Sequence, residues 1–188
     1  IKKKKAGNQE QLTISCDTNS ENMSKERSSI RSEFDKILGI CCYYLIPIKK
    51  QNFLGDGSHI AICTLSSLKL LEKIGKDREI MNKISIVGRL LSENRGIDQI
   101  IKFTEENKKI HTILMCGKDV RGHFSGQALI SLKKNGINRQ KRIIGAKGPY
   151  PILSCTEEQI ENFRNKIELI DKIGLTDFRK IKSIVVSS

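Results

Sequence analysis

The stretch Ile110–Gly136, with the sequence IHTILMCGKDVRGHFSGQALISLKKNG, decides the fold class. Its first seven residues, 110–116, are an apolar run of strand length. A polar, glycine-rich segment follows, and the run from about Gly126 to Lys134 then places three apolar residues on one helical face, with Gly136 as a C-terminal stop: Ala128, Leu129 and Leu132. The stretch therefore predicts a strand, a loop and a helix in that order.

The same alternation continues on both sides of this unit. Three further runs, β-branched or aliphatic, are predicted as buried strands: Ile60 to Leu65, Ile84 to Val87, and Arg142 to Ala146. A second helix is predicted from Thr156 to Ile173, where Thr156 and Gln159 have capping-box spacing and four residues form an apolar stripe: Ile160, Phe163, Ile167 and Ile170. Strands alternating with helices predict an α/β three-layer domain with a mostly parallel sheet.

The domain is expected to occupy residues 53–188 and to follow a polar N-terminal extension, residues 1–52. The first 30 residues hold few large apolar side chains, so we expect them to be disordered or loosely attached. The apolar stretch from Phe34 to Ile48 predicts a short helix and an edge element that stops near Pro47. No apolar run approaches the ~20 residues needed to span a bilayer, and no signal peptide is evident.

Six cysteines without a CxxC pair favour a reducing, cytoplasmic location over a disulfide framework. The 188 residues hold 34 Lys and Arg against 21 Asp and Glu, which gives a formal net charge of +13. Clustered basic residues can neutralise nucleic-acid phosphates. No zinc-finger spacing or aromatic RNA-binding signature accompanies the charge, so we interpret it as a solvated basic surface and expect no specific nucleic-acid partner.

Three polar, glycine-rich segments follow predicted strands: residues 88–94, 117–127 and 145–151. In a doubly wound sheet these segments converge on the edge where open α/β sheets bind ligands. Free N–H groups at the following helix starts would favour anions. Four side chains there offer donors and acceptors for an amide-bearing ligand: Ser92, Glu93, Asn94 and Gln127. No segment matches GxGxxG or a P-loop, so dinucleotide and nucleoside-triphosphate sites are poorly supported.

His123, between Gly122 and Gly126, is the residue singled out by its position, as a metal ligand, a general base or a polar contact. His59 and Cys63 would lie roughly 13 Å apart on a strand and cannot share one zinc ion. His111 is expected to be structural, and no Cys/His cluster predicts a zinc site within the protein. Cys116, in apolar surroundings that raise a thiol pKa, is a poor nucleophile.

Three strings together are quite specific: GRLLSENRG from Gly88, ILMCGKDVRGHFSGQ from Ile113, and RIIGAKGPYP from Arg142. They resemble the corrinoid-binding A-subunit of tetrahydromethanopterin S-methyltransferase, from about Gly55 to about Val185. The resemblance implies a Rossmann-like domain that binds a cobamide, cobalamin or 5-hydroxybenzimidazolylcobamide. It implies that His123 is the axial ligand to the corrinoid cobalt and the catalytic residue. The cofactor-contacting positions that it implies are Ser92, Glu93, Asn94, Gly117, Gly122, His123, Gln127, Gly145, Ala146 and Gly148.

The activity that the resemblance implies belongs to one-carbon metabolism and methanogenesis. A methyl group would pass from a methylated tetrahydropterin, through cobalt, to a thiol such as coenzyme M, with the help of other methyltransferase subunits. Family members carry a C-terminal membrane anchor, which this sequence lacks at Val186-Ser187-Ser188. We therefore expect a cytoplasmic protein, or one at the cytoplasmic face of a membrane complex if an anchor has been removed.

Two other functions remain open from the sequence. One is a non-catalytic α/β module that binds an anionic nucleotide or nucleic acid. The other is a degenerate family member that keeps the fold for protein–protein contact. Cobamide binding that depends on His123 would separate the carrier from both.

Overall fold

The computed structural model describes residues 52–187. The strands in this part of the chain are β1 (Asn52–Leu54), β2 (Ile60–Cys63), β3 (Ile84–Gly88), β4 (Thr112–Met115) and β5 (Glu168–Asp171). The helices are α1 (Leu68–Gly75), α2 (Arg78–Met81), α3 (Arg95–Glu106), α4 (Ser125–Asn135), α5 (Glu157–Lys166) and α6 (Phe178–Val186).

The strands form a single sheet with the order β1-β3-β2-β4-β5. β2, β3, β4 and β5 run parallel, whereas β1 pairs antiparallel with β3 at one edge. In the centre, Ile60 of β2 lies opposite Thr112 of β4, and Cys63 lies opposite Met115. Parallel strands all end at the same edge of the sheet, so β2, β3 and β4 deliver their following loops to one side of the molecule.

Two apolar layers cover the two faces of the sheet, which makes the domain a three-layer α/β structure as predicted. Side chains alternate along β4, so Ile113 and Met115 enter one core whereas Leu114 enters the other. The first core is covered by α3, α4 and α5, and the second by α1, α2 and α6. Strands buried on both faces explain why these runs are continuously apolar rather than alternating with polar residues.

The strand–loop–helix unit that decided the fold class is confirmed, with its strand two residues shorter at the start and one at the end. α4 covers the predicted helix and stops at Gly136, whose φ of 71° suits glycine. The capping box is also present. Thr156 Oγ1 accepts from the Gln159 amide at 3.1 Å, and the Gln159 side chain accepts from the Thr156 amide at 3.0 Å.

The predicted helix from Thr156 to Ile173 is wrong beyond Lys166. Ile167 has an extended backbone, and Glu168–Asp171 form β5, the fourth parallel strand. The apolar residues from 160 to 170 match the spacing of one helical face, but the run Ile167-Glu168-Leu169-Ile170 is also compatible with a strand. Pairing with the open edge of β4 decides between the two, because it satisfies backbone groups that a longer helix would leave exposed on that edge.

The predicted strand from Arg142 to Ala146 is also wrong. β5 occupies the edge of β4 that this run would have needed, so the run joins no sheet. It forms two isolated bridges instead, Ile137 with Ile143 and Arg142 with Ile152. The segment is thus an excursion between α4 and α5 whose apolar residue Ile143 is buried in the first core.

Predictions for residues 1–51, including the stretch from Phe34 to Ile48, lie outside the described residues, as does Ser188. Between residues 52 and 187, no helix combines the length and the apolar character needed to cross a bilayer.

Candidate functional site

The three glycine-rich segments meet at the carboxyl edge of the sheet. The segments after β3 and β4 are joined where His123 Nδ1 lies 2.8 Å from Glu93 Oε2. The third segment reaches the same place although no strand precedes it, since the Tyr150 amide donates to Glu93 Oε1 at 3.0 Å. The predicted convergence is therefore confirmed, and Glu93 is the side chain that joins all three segments.

The Glu93 side chain is 1% exposed, whereas the His123 side chain keeps 32% of its surface exposed. Burial works to raise the pKa of Glu93, but hydrogen bonds from His123 and from backbone amides outweigh it, so the pKa lies below its ordinary value. The hydrogen bond to Glu93 raises the pKa of His123 against the opposing effect of its partial burial. An ionised carboxylate can only accept, so Nδ1 carries a proton and donates it.

The orientation of His123 leaves its second nitrogen available. Nε2 has no hydrogen-bond partner among residues 52–187, and the ring is partly open to solvent. An imidazole whose Nδ1–H is held by a carboxylate presents the Nε2 lone pair in a fixed direction, which is how metal-ligating histidines are usually supported. The pair can thus orient a base or a metal ligand at the mouth of the cleft.

Asp119 shapes the loop that carries His123. Its carboxylate accepts from the backbone amides of Val120, Gly126 and Gln127 at 2.7 to 2.9 Å, so it closes the loop from both ends. The Asp119 carboxylate therefore does not set the tautomer of the His123 ring. Asp119 is occupied at the start of α4, and Glu93, 30 residues earlier in the chain, makes the contact with the ring.

The first turn of α3 anchors the third segment. Asn94 Nδ2 donates to the Tyr150 carbonyl at 3.1 Å, while Asn94 Oδ1 accepts from the Arg95 amide. One turn later, Asp98 is buried and accepts from the amides of Ser154 and Cys155. These contacts hold residues 150–155 against α3, next to the Glu93–His123 pair.

Gln127 holds the same segment against α4. Its Nε2 donates to the Gly145 carbonyl at 2.9 Å, and its Oε1 accepts from the Lys147 amide at 2.9 Å. Ala146, between them, is half-buried and packs on the first core. Ser92 Oγ accepts from the Gly96 amide at 2.8 Å. The four polar side chains predicted to contact a ligand therefore also build the cleft itself.

At α3 and α4, which follow the first two segments, side chains already accept hydrogen bonds from backbone amides of the first turn, which weighs against the expected anion site at these helices. Asp119 occupies the amides that begin α4, and Ser92 and Asn94 accept from those that begin α3. A carboxylate already in place at a helix N-terminus repels a second anion. The geometry thus argues against phosphate binding at these two helices.

Two glycines bring backbone segments into close approach. A Cβ on Gly148 would lie 2.7 Å from Cγ of Glu93 and closer still to the His123 carbonyl oxygen, so only glycine lets the third segment pass beneath the pair. At Gly117, with φ of 80°, a Cβ would collide with the Thr64 carbonyl and lie 2.8 Å from Ser67 Oγ. Gly122 is exposed beside His123 and has open space around it.

The other histidines lie away from this cleft. His59 and His111 stack with ring centroids 5.1 Å apart at the amino edge of the strands, which agrees with a structural role for His111. Within residues 52–187, no three His, Cys, Asp or Glu side chains are placed to hold one metal ion. Burial raises the pKa of Cys116 to about 12, as expected for an inert thiol.

Tyr150 and Asp98 were not singled out from the sequence. Tyr150 acts through its backbone, for which no side-chain pattern exists. Asp98 carried a weak signal, because it is an acidic residue flanked by Ile97 and by Ile101 one turn on, all buried in α3. A buried carboxylate in a helix requires partners, and those partners are the backbone amides of the third segment.

Comparison with known proteins identifies the family. The sequence model of the tetrahydromethanopterin S-methyltransferase A-subunit matches residues 47–187. The A-subunit of the putative methyltransferase Mtx from Methanosarcina barkeri is 34% identical over 142 residues, covering 74% of this chain and 68% of the relative. The second tetrahydromethanopterin S-methyltransferase A-subunit of Methanothermobacter marburgensis is 34% identical over 127 residues, covering 66% of this chain and 65% of the relative.

A third relative shares a shorter region. The tetrahydromethanopterin S-methyltransferase A-subunit of Methanohalophilus mahii is 36% identical over 100 residues, which cover 53% of this chain and 41% of that protein. The family match takes in every strand and helix of the domain together with the three segments that meet at His123. The chain belongs to the family of tetrahydromethanopterin S-methyltransferase A-subunits.

Proposed function

We propose that this chain is the corrinoid-carrying subunit of a methyltransferase and binds a cobamide in the cleft at His123. The cobamide, cobalamin or 5-hydroxybenzimidazolylcobamide, supplies a cobalt centre that can take a methyl group from a methylated tetrahydropterin and give it to a thiol such as coenzyme M. Relatives are named as subunits of methyltransferases, so we expect activity only together with other subunits.

The observation that carries the proposal is the Glu93–His123 pair. A buried carboxylate 2.8 Å from Nδ1 fixes the ring and leaves Nε2 as the nitrogen that points away from the protein contacts. Imidazole nitrogen is a suitable axial donor for cobalt, as it is for other transition metals. The donor present therefore fits the cofactor, and the metal would arrive inside the corrinoid rather than in a site built from several side chains.

The loop around His123 is shaped to present the ring. Gly122 has a φ of 85° and Phe124 a φ of 48°, so residues on both sides of His123 adopt the left-handed region. For Phe124 this conformation carries a cost of about 1 kcal/mol, offset by the ties that Asp119 makes to both ends of the loop. The tight turn places the His123 side chain outside the buried core, with 32% of its surface exposed.

The remaining proposed contacts fall into two groups. We expect Gly117, Gly122, Gly145, Ala146 and Gly148 to allow the flat corrin ring to approach the backbone. We expect Ser92, Asn94 and Gln127 to hold the loops at the spacing that the ring requires, and Glu93 to orient His123. Glu93, Asn94 and Gln127 already bond to the backbone of the third segment, so their loss would loosen the cleft. Ser92 bonds to the first turn of α3 instead.

The alternative of a nucleotide-binding module has less support. One feature that would favour anion binding is free amides at helix starts, and amides at the starts of α3 and α4 already donate to Ser92, Asn94 and Asp119. No specific contact among the described residues favours a phosphate over a corrinoid in this cleft.

The test is a visible absorption spectrum of the purified chain after incubation with hydroxocobalamin and desalting. The wild-type protein, His123→Ala and the control His111→Ala are compared. We expect the wild type and the control to retain corrinoid with shifted bands, and His123→Ala to lose the shift. The control removes an exposed imidazole at the opposite edge of the sheet, so it reports any general effect of losing a histidine.

Corrinoid bound equally, with the same spectrum, by all three proteins would remove His123 from the axial position. Retention of no corrinoid by a wild-type chain with a normal circular dichroism spectrum would overturn the carrier function. That result would leave protein–protein contact as the role of the fold.

A further inference from the structure

The stretch of sequence that borders the candidate site contains basic residues and no acidic ones. From residue 120 to residue 156 there are seven Lys and Arg side chains and no Asp or Glu. The seven are Arg121, Lys133, Lys134, Arg139, Lys141, Arg142 and Lys147. A stretch of this length without a single acidic residue contrasts with the chain as a whole, where acidic residues balance most of the basic ones.

The fold gathers this stretch into one surface. Residues 144–148 lie along α4 in the opposite direction: Asn135 Nδ2 donates to the Ile144 carbonyl, and Gln127 bonds to Gly145 and Lys147. At the end of this path, Gly148 lies directly against the His123 carbonyl. The surface therefore extends from the rim of the His123 cleft along α4 to the turn at Arg139.

Part of this charge is structural and part is available. Lys133 donates to the Arg164 carbonyl and so joins α4 to α5, and Lys141 donates to the Cys155 carbonyl and so holds the excursion in place. In contrast, the side chains of Arg121, Arg139 and Lys147 are exposed and make no bond to residues 52–187.

Two large apolar side chains interrupt the basic surface. Phe124 is 39% exposed at the start of α4, and Ile144 is 47% exposed beside its end. Exposed apolar and aromatic side chains on a basic surface are typical of protein–protein interfaces, where the apolar residues give affinity and the charges guide association. The phosphates of a nucleic acid could bind the basic side chains, but its backbone has no apolar group that would pack on an exposed Ile.

We propose that the exposed side chains of Arg121, Phe124, Arg139, Ile144 and Lys147 form a docking surface for an acidic protein partner whose apolar side chains cover Phe124 and Ile144. Because the surface is basic, we expect its partner to present an acidic face. The position of the surface would bring that partner to the rim of the His123 cleft. The inference rests on the proposed function in one respect: methyl transfer at His123 would give a partner protein a reason to bind on this side.

The test uses two fluorescent probes with the same net charge, an acidic peptide containing Glu and Leu and a single-stranded DNA oligonucleotide. Binding is measured by anisotropy for the wild type, for Arg139→Glu/Lys147→Glu and for Ile144→Ser. The matched control is Lys108→Glu/Lys109→Glu, which makes the same charge change at exposed positions on the opposite edge of the sheet. Circular dichroism establishes that each variant is folded.

We expect the patch double variant to weaken peptide binding by at least about tenfold and the control to change it by less than about twofold. Ile144→Ser should weaken binding of the peptide and leave binding of the DNA unchanged. Retention of hydroxocobalamin, measured on the same proteins, should be the same for the patch variants as for the wild type.

Equal losses in the patch and control variants would overturn the proposal, because they would show that only overall charge matters. Tighter binding of DNA than of peptide, unaffected by Ile144→Ser, would assign the surface to nucleic acid instead. Loss of corrinoid retention in the patch variants would assign the surface to the cofactor. A wild-type chain that binds the peptide but no corrinoid would separate failure of the proposed function from failure of this one.

Discussion

Glu93 determines what His123 can do. By accepting from Nδ1 it fixes the ring with Nε2 outward, but the same negative charge raises the pKa of the imidazole. A proton and a metal compete for the Nε2 lone pair, so Glu93 improves orientation and at the same time favours protonation. The Nε2 lone pair is therefore well oriented, and it would be available to a metal only when the ring is neutral.

We predict that Glu93→Gln lowers the pKa of His123 towards that of an ordinary imidazole, because the neutral amide removes the attraction that favours the charged form. NMR titration of the three histidine rings in the protein without cofactor measures this. The control is Glu106→Gln, which changes an exposed carboxylate at the end of α3 and should leave the pKa of His123 unchanged. A His123 pKa that is unchanged in the variant would mean that the contact with Glu93 is not formed in solution.

At the scale of elements, loop positions are set by side chains at helix starts. Asp119 holds both ends of the loop at the start of α4, and Asp98 in α3 holds the amides of Ser154 and Cys155. Asp119 holds the loop in which it lies, whereas Asp98 holds a segment more than 50 residues further along the chain. The cleft is thus assembled by polar contacts between neighbouring elements, on a sheet whose own stability comes from apolar burial on both faces.

We predict that Asp119→Ala destabilises the domain by about 1–2 kcal/mol, because three amides at the start of α4 lose their acceptor. Urea unfolding measures the stability loss, and hydrogen exchange should increase at residues 120–127. The control is Asp177→Ala, which removes the N-cap of α6 on the other side of the sheet.

The two variants should differ in corrinoid retention. Asp119→Ala should weaken it, since the loop that presents His123 is released, whereas Asp177→Ala should leave it unchanged despite a similar loss of stability. If both variants retained corrinoid like the wild type, the loop would not need Asp119 to present His123.

At the scale of the whole molecule, the patterns of apolar residues predicted the elements whose formation depends on local sequence. The strands at Ile60, Ile84 and Ile113 and the helix that ends at Gly136 follow from apolar spacing and a glycine stop. The runs at Arg142 and Ile167 are alike in composition, and competition for one free edge of β4 made only the second a strand. Such a competition is settled by tertiary pairing, which periodicity does not contain.

The candidate site divides in the same way. The segments that meet at the cleft were predictable, because glycine-rich runs after parallel strands share one edge of a sheet. The Glu93–His123 contact and the anchoring by Asp98 were not, since they join residues 30 and more than 50 positions apart through the packing of α3 and α4. The expectation of free amides at the helix starts was wrong for a related reason, because nearby polar side chains accept hydrogen bonds from those amides.

The Glu93–His123 pair should also be visible in the stability of the whole chain as a function of pH. The raised pKa of His123 contributes stability below the ordinary imidazole value, and this is lost as pH rises through the folded pKa. The lowered pKa of Glu93 contributes stability above the ordinary carboxyl value, and this is lost as pH falls through the folded pKa. The two contributions therefore overlap between about pH 4.5 and 6.5.

We predict that Glu93→Gln destabilises the protein more at pH 5.5 than at pH 8.5, by on the order of 1 kcal/mol after allowance for the partial exposure of the ring. Urea unfolding of wild type and variant at the two pH values gives this difference directly. Glu106→Gln, which changes an exposed carboxylate at the end of α3, is the control and should show no such difference. A destabilisation by Glu93→Gln that is equal at both pH values would mean that Glu93 contributes only through its backbone contacts, such as the one with Tyr150, and that its charge does not stabilise His123.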